Sequence, residues 1–186
     1  MLKHSLSIGL LAVSALATQA QADTVTITPD NAWHALDVDS LSAASGGLEW
    51  ISLASGSALT FSVTLTAPAY LTVVDGGFAG DRFQIFDNNV LVGETSLAVN
   101  TYPTSVGTNF DAALANPNFS RGTYFLDAGV HNISGLLSLS ALDDANAPID
   151  ATVGALRVAP VPLPAAGLLF FFGSSLLGLF ARRRAV

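Results

Sequence analysis

The chain has no cysteine, which excludes a disulfide framework, thiolate chemistry and the closed zinc sites built on Cys. Its fold must therefore be held by burial and hydrogen bonding alone. Basic residues are nearly as scarce. Lys3 and Arg182, Arg183 and Arg184 sit near the two ends, leaving only Arg82, Arg121 and Arg157 between them. All 14 acidic residues fall between Asp23 and Asp150, so residues 23–160 carry a net charge of −11 against −7 for the whole chain. A surface this acidic repels polyanions and excludes a nucleic-acid partner. Catalytic signatures are missing too: there is no Gly-x-Ser-x-Gly elbow and no His-Glu-x-x-His zinc motif. His34 and His131 are the only histidines of the middle region, and the reading is of a protein that is not an enzyme. No internal repeat supports a propeller or solenoid.

What is there is unevenly spread. The hydrophobic fraction of 51% is inflated by two apolar runs at the ends. At the first, Lys3 and His4 precede the apolar stretch Leu6–Ala17, and Ala20-Gln21-Ala22 matches the small-x-small pattern cut by signal peptidase. Residues 1–22 thus read as a secretory signal, with cleavage between Ala22 and Asp23. At the second, Pro160-Val161-Pro162-Leu163-Pro164 cannot lie inside a regular helix and marks a stiff break. Residues 165–181 carry no charge and, as a helix of about 25 Å, would just cross a thin bilayer. The arginines 182–184 follow at once and would stay on the cytoplasmic side, leaving the body of the protein outside.

Val161-Pro162-Leu163-Pro164-Ala165, an apolar helix and the terminal Arg182, Arg183 and Arg184 together resemble the PEP-CTERM sorting signal of Gram-negative bacteria, in its VPLPA variant. The resemblance implies processing by an exosortase, a transient inner-membrane anchor, and then a place at the cell surface or in the extracellular matrix. It divides the chain into a signal peptide (1–22), a domain (23–159) and a sorting segment (160–186). A second stretch, Val74 to Ser96, is similar to a segment recurring in such surface proteins, with Asn89 standing where that pattern has Gly. Later pieces, Asn118–Gly122 and Leu126–His131, resemble the same proteins. No chemistry comes with that pattern.

The domain itself shows short β-branched and aromatic segments separated by Gly, Pro, Asn and Asp. The predicted strands are 24–28, 48–53, 58–66, 70–74, 82–86, 90–92, 123–126, 130–140 and 151–158. Asn88-Asn89 signals a two-residue hairpin, and a brief helix is expected at Asp111–Ala115, capped by Asp111 or Asn109. Strands without intervening helices predict an all-β fold, an antiparallel sandwich or jelly roll of about nine strands. Its expected core is Phe61, Val63, Leu71, Val73, Phe83, Ile85, Phe125, Leu137 and Leu139.

Two binding readings arise within this domain. Asp75 and Asp81 close one Gly-rich loop and, with loop carbonyls, could hold calcium, a cation that wants oxygen ligands. The same carboxylates could instead cap turn amides. Asp87 lies six residues further along an extended strand, roughly 20 Å away, and cannot share that ion. Trp33, Trp50, Tyr70, Tyr102 and Tyr124 could stack on sugar, which makes a module for extracellular polysaccharide the alternative to a plain surface domain. Aromatics also fill β cores. His131 is expected to point outward from its strand.

Overall fold

The computed structural model describes residues 22–162. Ala20, Leu163, Pro164, Ala165, Arg182, Arg183, Arg184 and the apolar stretch 165–181 lie outside the described residues. Among the described residues no helix is long and apolar enough to cross a membrane.

Among the described residues eleven strands and one helix follow in order: β1 (Asp23–Thr26), β2 (His34–Asp39), β3 (Leu59–Leu65), β4 (Ala69–Asp75), β5 (Gly77–Phe78), β6 (Arg82–Asp87), β7 (Val90–Glu94), β8 (Ser105–Gly107), α1 (Phe110–Ala115), β9 (Arg121–Leu126), β10 (Gly129–Leu139) and β11 (Ala151–Pro160). One sheet has the order β1-β3-β10-β6-β7, the other β2-β11-β4-β9, and β5 pairs with β8 apart from both. The fold is a β-sandwich. Its core lies between the two main sheets, where Phe61, Val63, Phe83, Ile85, Ile133 and Leu137 of the first meet Leu36, Val38, Leu71, Val73, Leu156 and Val158 of the second. Strict alternation produces this: β3 reads Leu59, Phe61, Val63 and Leu65 inward with Thr60, Ser62 and Thr64 between them.

Nine strands form the main sheets, and eight coincide with those read from the sequence. The ninth differs. Residues 48–53 form isolated bridges rather than a strand: the amide of Trp50 donates to Gly135 O at 3.0 Å and that of Ile51 to Asp37 O at 2.8 Å. The segment therefore ties one sheet to the other, and β2 takes its place in the sandwich. One pair also departs from the antiparallel expectation. β1 runs parallel to β3, which is possible because β2 lies in the opposite sheet and carries the chain across before it returns.

Two expected core residues are exposed. Leu139 is 50% exposed because β10 carries a bulge: Leu137 pairs with Phe83 and Leu139 with Arg82, so Ser138 is extra and the alternation flips. Phe125 is 55% exposed because Leu126, opposite buried Ala69, sets the phase of β9. Phe125 instead packs edge-on against its cross-strand partner Tyr70, with ring centroids 5.8 Å apart. The Asn88-Asn89 hairpin forms as read, with φ of 49° and 63° that Asn tolerates. Helix α1 starts one residue earlier than expected and is capped by Asn109, whose side chain accepts from the Ala112 amide.

Candidate buried carboxylate site

Asp75 ends β4 and Asp81 immediately precedes β6, so the hairpin-like return 76–80 brings the two carboxylates to one end of the sandwich. Glycine makes that return possible. Gly77 has φ +60°, and at Gly80 (φ +142°) a Cβ would stand 2.8 Å from the Cα of Ala141. That close approach lets the Ala141 amide donate to Asp81 Oδ1 at 2.7 Å. On the other side, the Asp75 amide donates to Ser120 O at 3.0 Å and the Gly76 amide to Val153 O at 2.9 Å. Thr152 of β11 borders the same loop, its Oγ1 3.9 Å from where a Cβ on Gly77 would lie.

Both carboxylates are out of water, Asp75 at 0% and Asp81 at 1% exposure. Neither oxygen of Asp75 closes a hydrogen bond of normal geometry. Burial, reinforced by the neighbouring charge of Asp81, pushes the Asp75 carboxyl up to about 9, although the amides of Gly80, Asp81 and Gly76 draw it down. Asp81 is pushed up to about 6, again by burial, with Asp150 adding to the rise, while the Thr152 hydroxyl, the Ala141 amide and Asp75 oppose it. Among the described residues neither has a salt-bridge partner; the ion pairs there use Glu94, Asp87 and Asp111. Asp81 thus accepts from an amide distant in sequence rather than from its own turn, while the turn amides of Gly76, Gly80 and Asp81 face Asp75 without closing a bond of normal geometry.

Asp87 stands at the opposite end of β6 from this pair and is engaged by His131. His131 is not outward: it lies across from Val63 and is 8% exposed. The phase of β10, set by Ile133 and Leu137, turns it in. Its Nδ1 meets Asp87 Oδ2 at 2.7 Å and its Nε2 meets Asp127 O at 2.9 Å. An acceptor at each nitrogen favours the doubly protonated imidazolium over either neutral tautomer. Desolvation opposes this, but the hydrogen bonds to Asp87 and Asp127 and their charges win, and the pKa is raised. A raised histidine stabilises the fold fully below about pH 6.5 and loses that contribution as pH climbs through the folded value. An NMR titration of the ring should therefore give a pKa above the free-histidine value, dropping in Asp87→Asn; a value at or below about 6.5 in the unmodified chain would contradict the ion pair.

The five aromatics read for sugar stacking do not gather. Trp50 is fully buried. Trp33 lies under the Arg157 guanidinium, 4.4 Å from its ring, and donates to Asp111. Tyr102 packs on Phe78 and Tyr70 on Phe125, while Tyr124 is half-buried against the core. A shallow groove of about 420 Å³ is lined by Glu49, Leu59, Thr60, Phe86, Ser134 and Leu136 among others, and shares no residue with the carboxylate pair. Sequence reasoning found Asp75 and Asp81 but missed Thr152, Ala141 and Asp150. They lie 60 or more residues along the chain from Asp81, and only the pairing of β11 with β4 brings Thr152 near.

No family model and no curated protein matches the chain. Among solved structures it is similar to the pre-peptidase C-terminal domain of a collagenase from Bacillus anthracis, with 8% identity and a TM-score of 0.37, over 75% of this chain and 96% of that one. A likeness of that degree assigns no function, and the sandwich stands on the strand pairing itself.

Proposed function

We propose that the chain is an exported, non-enzymatic β-sandwich that an exosortase releases from a transient inner-membrane anchor to the cell surface or extracellular matrix. One observation carries the reading: the C-terminal order of Val161-Pro162-Leu163-Pro164-Ala165, an uncharged 17-residue stretch, and Arg182-Arg183-Arg184. The strand boundaries support it. β1 opens at Asp23, directly after the small-x-small pattern, with its amide donating to Ala58 O at 2.7 Å. β11 runs to Pro160, and the Val161 amide donates to Pro68 O at 3.2 Å. The sheets thus begin at Asp23 and reach the first residues of the C-terminal motif, so cuts before Asp23 and near Pro164 would leave all of them in place.

Mass spectrometry of the protein recovered from cells with an active exosortase tests the reading. The expected mature species starts at Asp23 and lacks Phe170–Arg184, ending near Pro164. A mature species that retains Phe170–Arg184 in those cells would overturn it. The alternative, a polysaccharide-binding module, has support only from the exposed Tyr70–Phe125 pair, because the other aromatics are spread through the fold. The surface-domain reading is preferred on that ground.

A further inference from the structure

We propose that Asp75 and Asp81 form a buried site for one calcium ion, completed by the Thr152 hydroxyl and by carbonyl oxygens of the 76–80 loop. Asp75 has no exposure, and although the Gly80, Asp81 and Gly76 amides face it, neither of its oxygens closes a hydrogen bond of normal geometry, an unfavourable state for a buried carboxylate unless something satisfies it. Its neighbours supply no positive charge, and the adjacent group is another buried carboxylate. Two like charges held together away from water attract whatever neutralises both.

Two agents can do so: a shared proton or a divalent cation. The surrounding donors favour the cation. Besides the backbone amides that face the carboxylates, the groups at hand are the Thr152 hydroxyl and main-chain carbonyls such as those of Val153 and Gly107, with no imidazole or thiolate, so the ligands on offer are oxygens, which suit a hard ion and not zinc. Among the described residues no three His, Asp or Glu side chains group around a metal, so main-chain oxygens must contribute. Main-chain carbonyls suit calcium, which accepts six to eight oxygen ligands in flexible geometry, better than magnesium, which demands near-octahedral order. Gly76 also fits this role. A Cβ there would lie 2.9 Å from Val153 O and 3.3 Å from Gly107 O, so the backbone runs here among other carbonyls, where a side chain has no room. The inference does not depend on how the chain is sorted.

The test is thermal unfolding of the full chain in mild detergent near neutral pH, in chelator, in millimolar magnesium and in millimolar calcium. Saturating calcium should raise the midpoint by about 5–10 °C over chelator, and magnesium by clearly less. Asp75→Asn and Asp81→Asn should abolish the rise. Asp75→Asn should moreover be at least as stable as the unmodified chain in chelator, because it removes a buried unpartnered acid. Equilibrium dialysis should find one calcium per unmodified chain and none in Asp75→Asn, which keeps the proposal decidable if Asp81→Asn fails to fold. Equal midpoints in calcium and chelator, with no ion retained on dialysis, would show that the pair holds a proton instead and would overturn the site.

Discussion

Replacing Trp50 with alanine is expected to lower the unfolding free energy by about 3–5 kcal/mol, the range for removing a large buried aromatic. Trp50 has no exposure and meets Phe61 and Phe83 edge-on, with centroids 6.4 and 6.2 Å away, so it fills the space between β3, β6 and the crossing segment 48–53. Its loss leaves a cavity between sheets that no disulfide restrains. A domain typically has only about 5–15 kcal/mol in hand, so the variant should sit near the edge of folding. Trp50→Phe should cost much less, since the buried indole N–H has no partner and its removal relieves an unsatisfied donor. Gly135 is the complementary position. A Cβ there would stand 2.3 Å from Trp50 Cε2 and 2.8 Å from Gln84 O, so Gly135→Ala should destabilise by about 1–3 kcal/mol through overpacking. Part of that cost should vanish in the Trp50→Ala background, because the ring is gone while the Gln84 carbonyl remains. Urea unfolding followed by circular dichroism measures all four variants against the unmodified chain. A loss below about 1 kcal/mol for Trp50→Ala would show that the ring is not part of the load between the sheets.

The fold was more legible than the site, for a physical reason. Strands such as β3 and β4 declare themselves by period-two alternation, a local property of the sequence. β2 carries the same signal in Leu36 and Val38, but Asp37 and Asp39 between them look like turn residues until the structure shows them on the other face. Residues 48–53 mislead in the opposite sense. Trp50 and Ile51 are both buried because the segment crosses between sheets, a situation that alternation does not encode. The bulge at Ser138 is likewise invisible in a run of Leu and Ser. For the site, Asp75 and Asp81 were found because they bracket a Gly-rich loop. Their burial was not legible, since it depends on β11, α1 and the approach of Ala141, all distant in sequence. His131 was read as outward for the same reason: its partner Asp87 is 44 residues away.

In calcium-free buffer the domain is expected to lose stability as pH rises from about 4 to about 9, against the trend that well-partnered carboxylates produce. Unfolded, Asp75 titrates near 3.8; folded, burial and the charge of Asp81 move it to about 9. Between those values the folded chain keeps a proton that the unfolded chain has released, so each rise in pH favours unfolding. By pH 7 this one group removes on the order of 4 kcal/mol relative to pH 4. Asp81 acts in the same sense over a narrower window that closes near its folded value of about 6. Asp37, raised by desolvation, adds to the lower end, and His131 contributes only from about pH 6.5 upward. Asp30 and Asp39, lowered by hydrogen bonds, act with the opposite sign, and only as pH falls below the usual carboxylate range. Asp75→Asn should therefore flatten most of the slope between pH 6 and 9, whereas Asp87→Asn should remove only the share due to His131. Denaturant midpoints collected across that range in chelator check both; a profile that Asp75→Asn leaves unchanged would show that Asp75 is not the titrating group. Saturating calcium should level the profile, because a cation that holds both carboxylates in their charged form removes the proton's advantage in the folded state. The prediction thus separates the two occupants of the pair by sign: a proton gives stability that fades as pH rises, and a cation gives stability that does not.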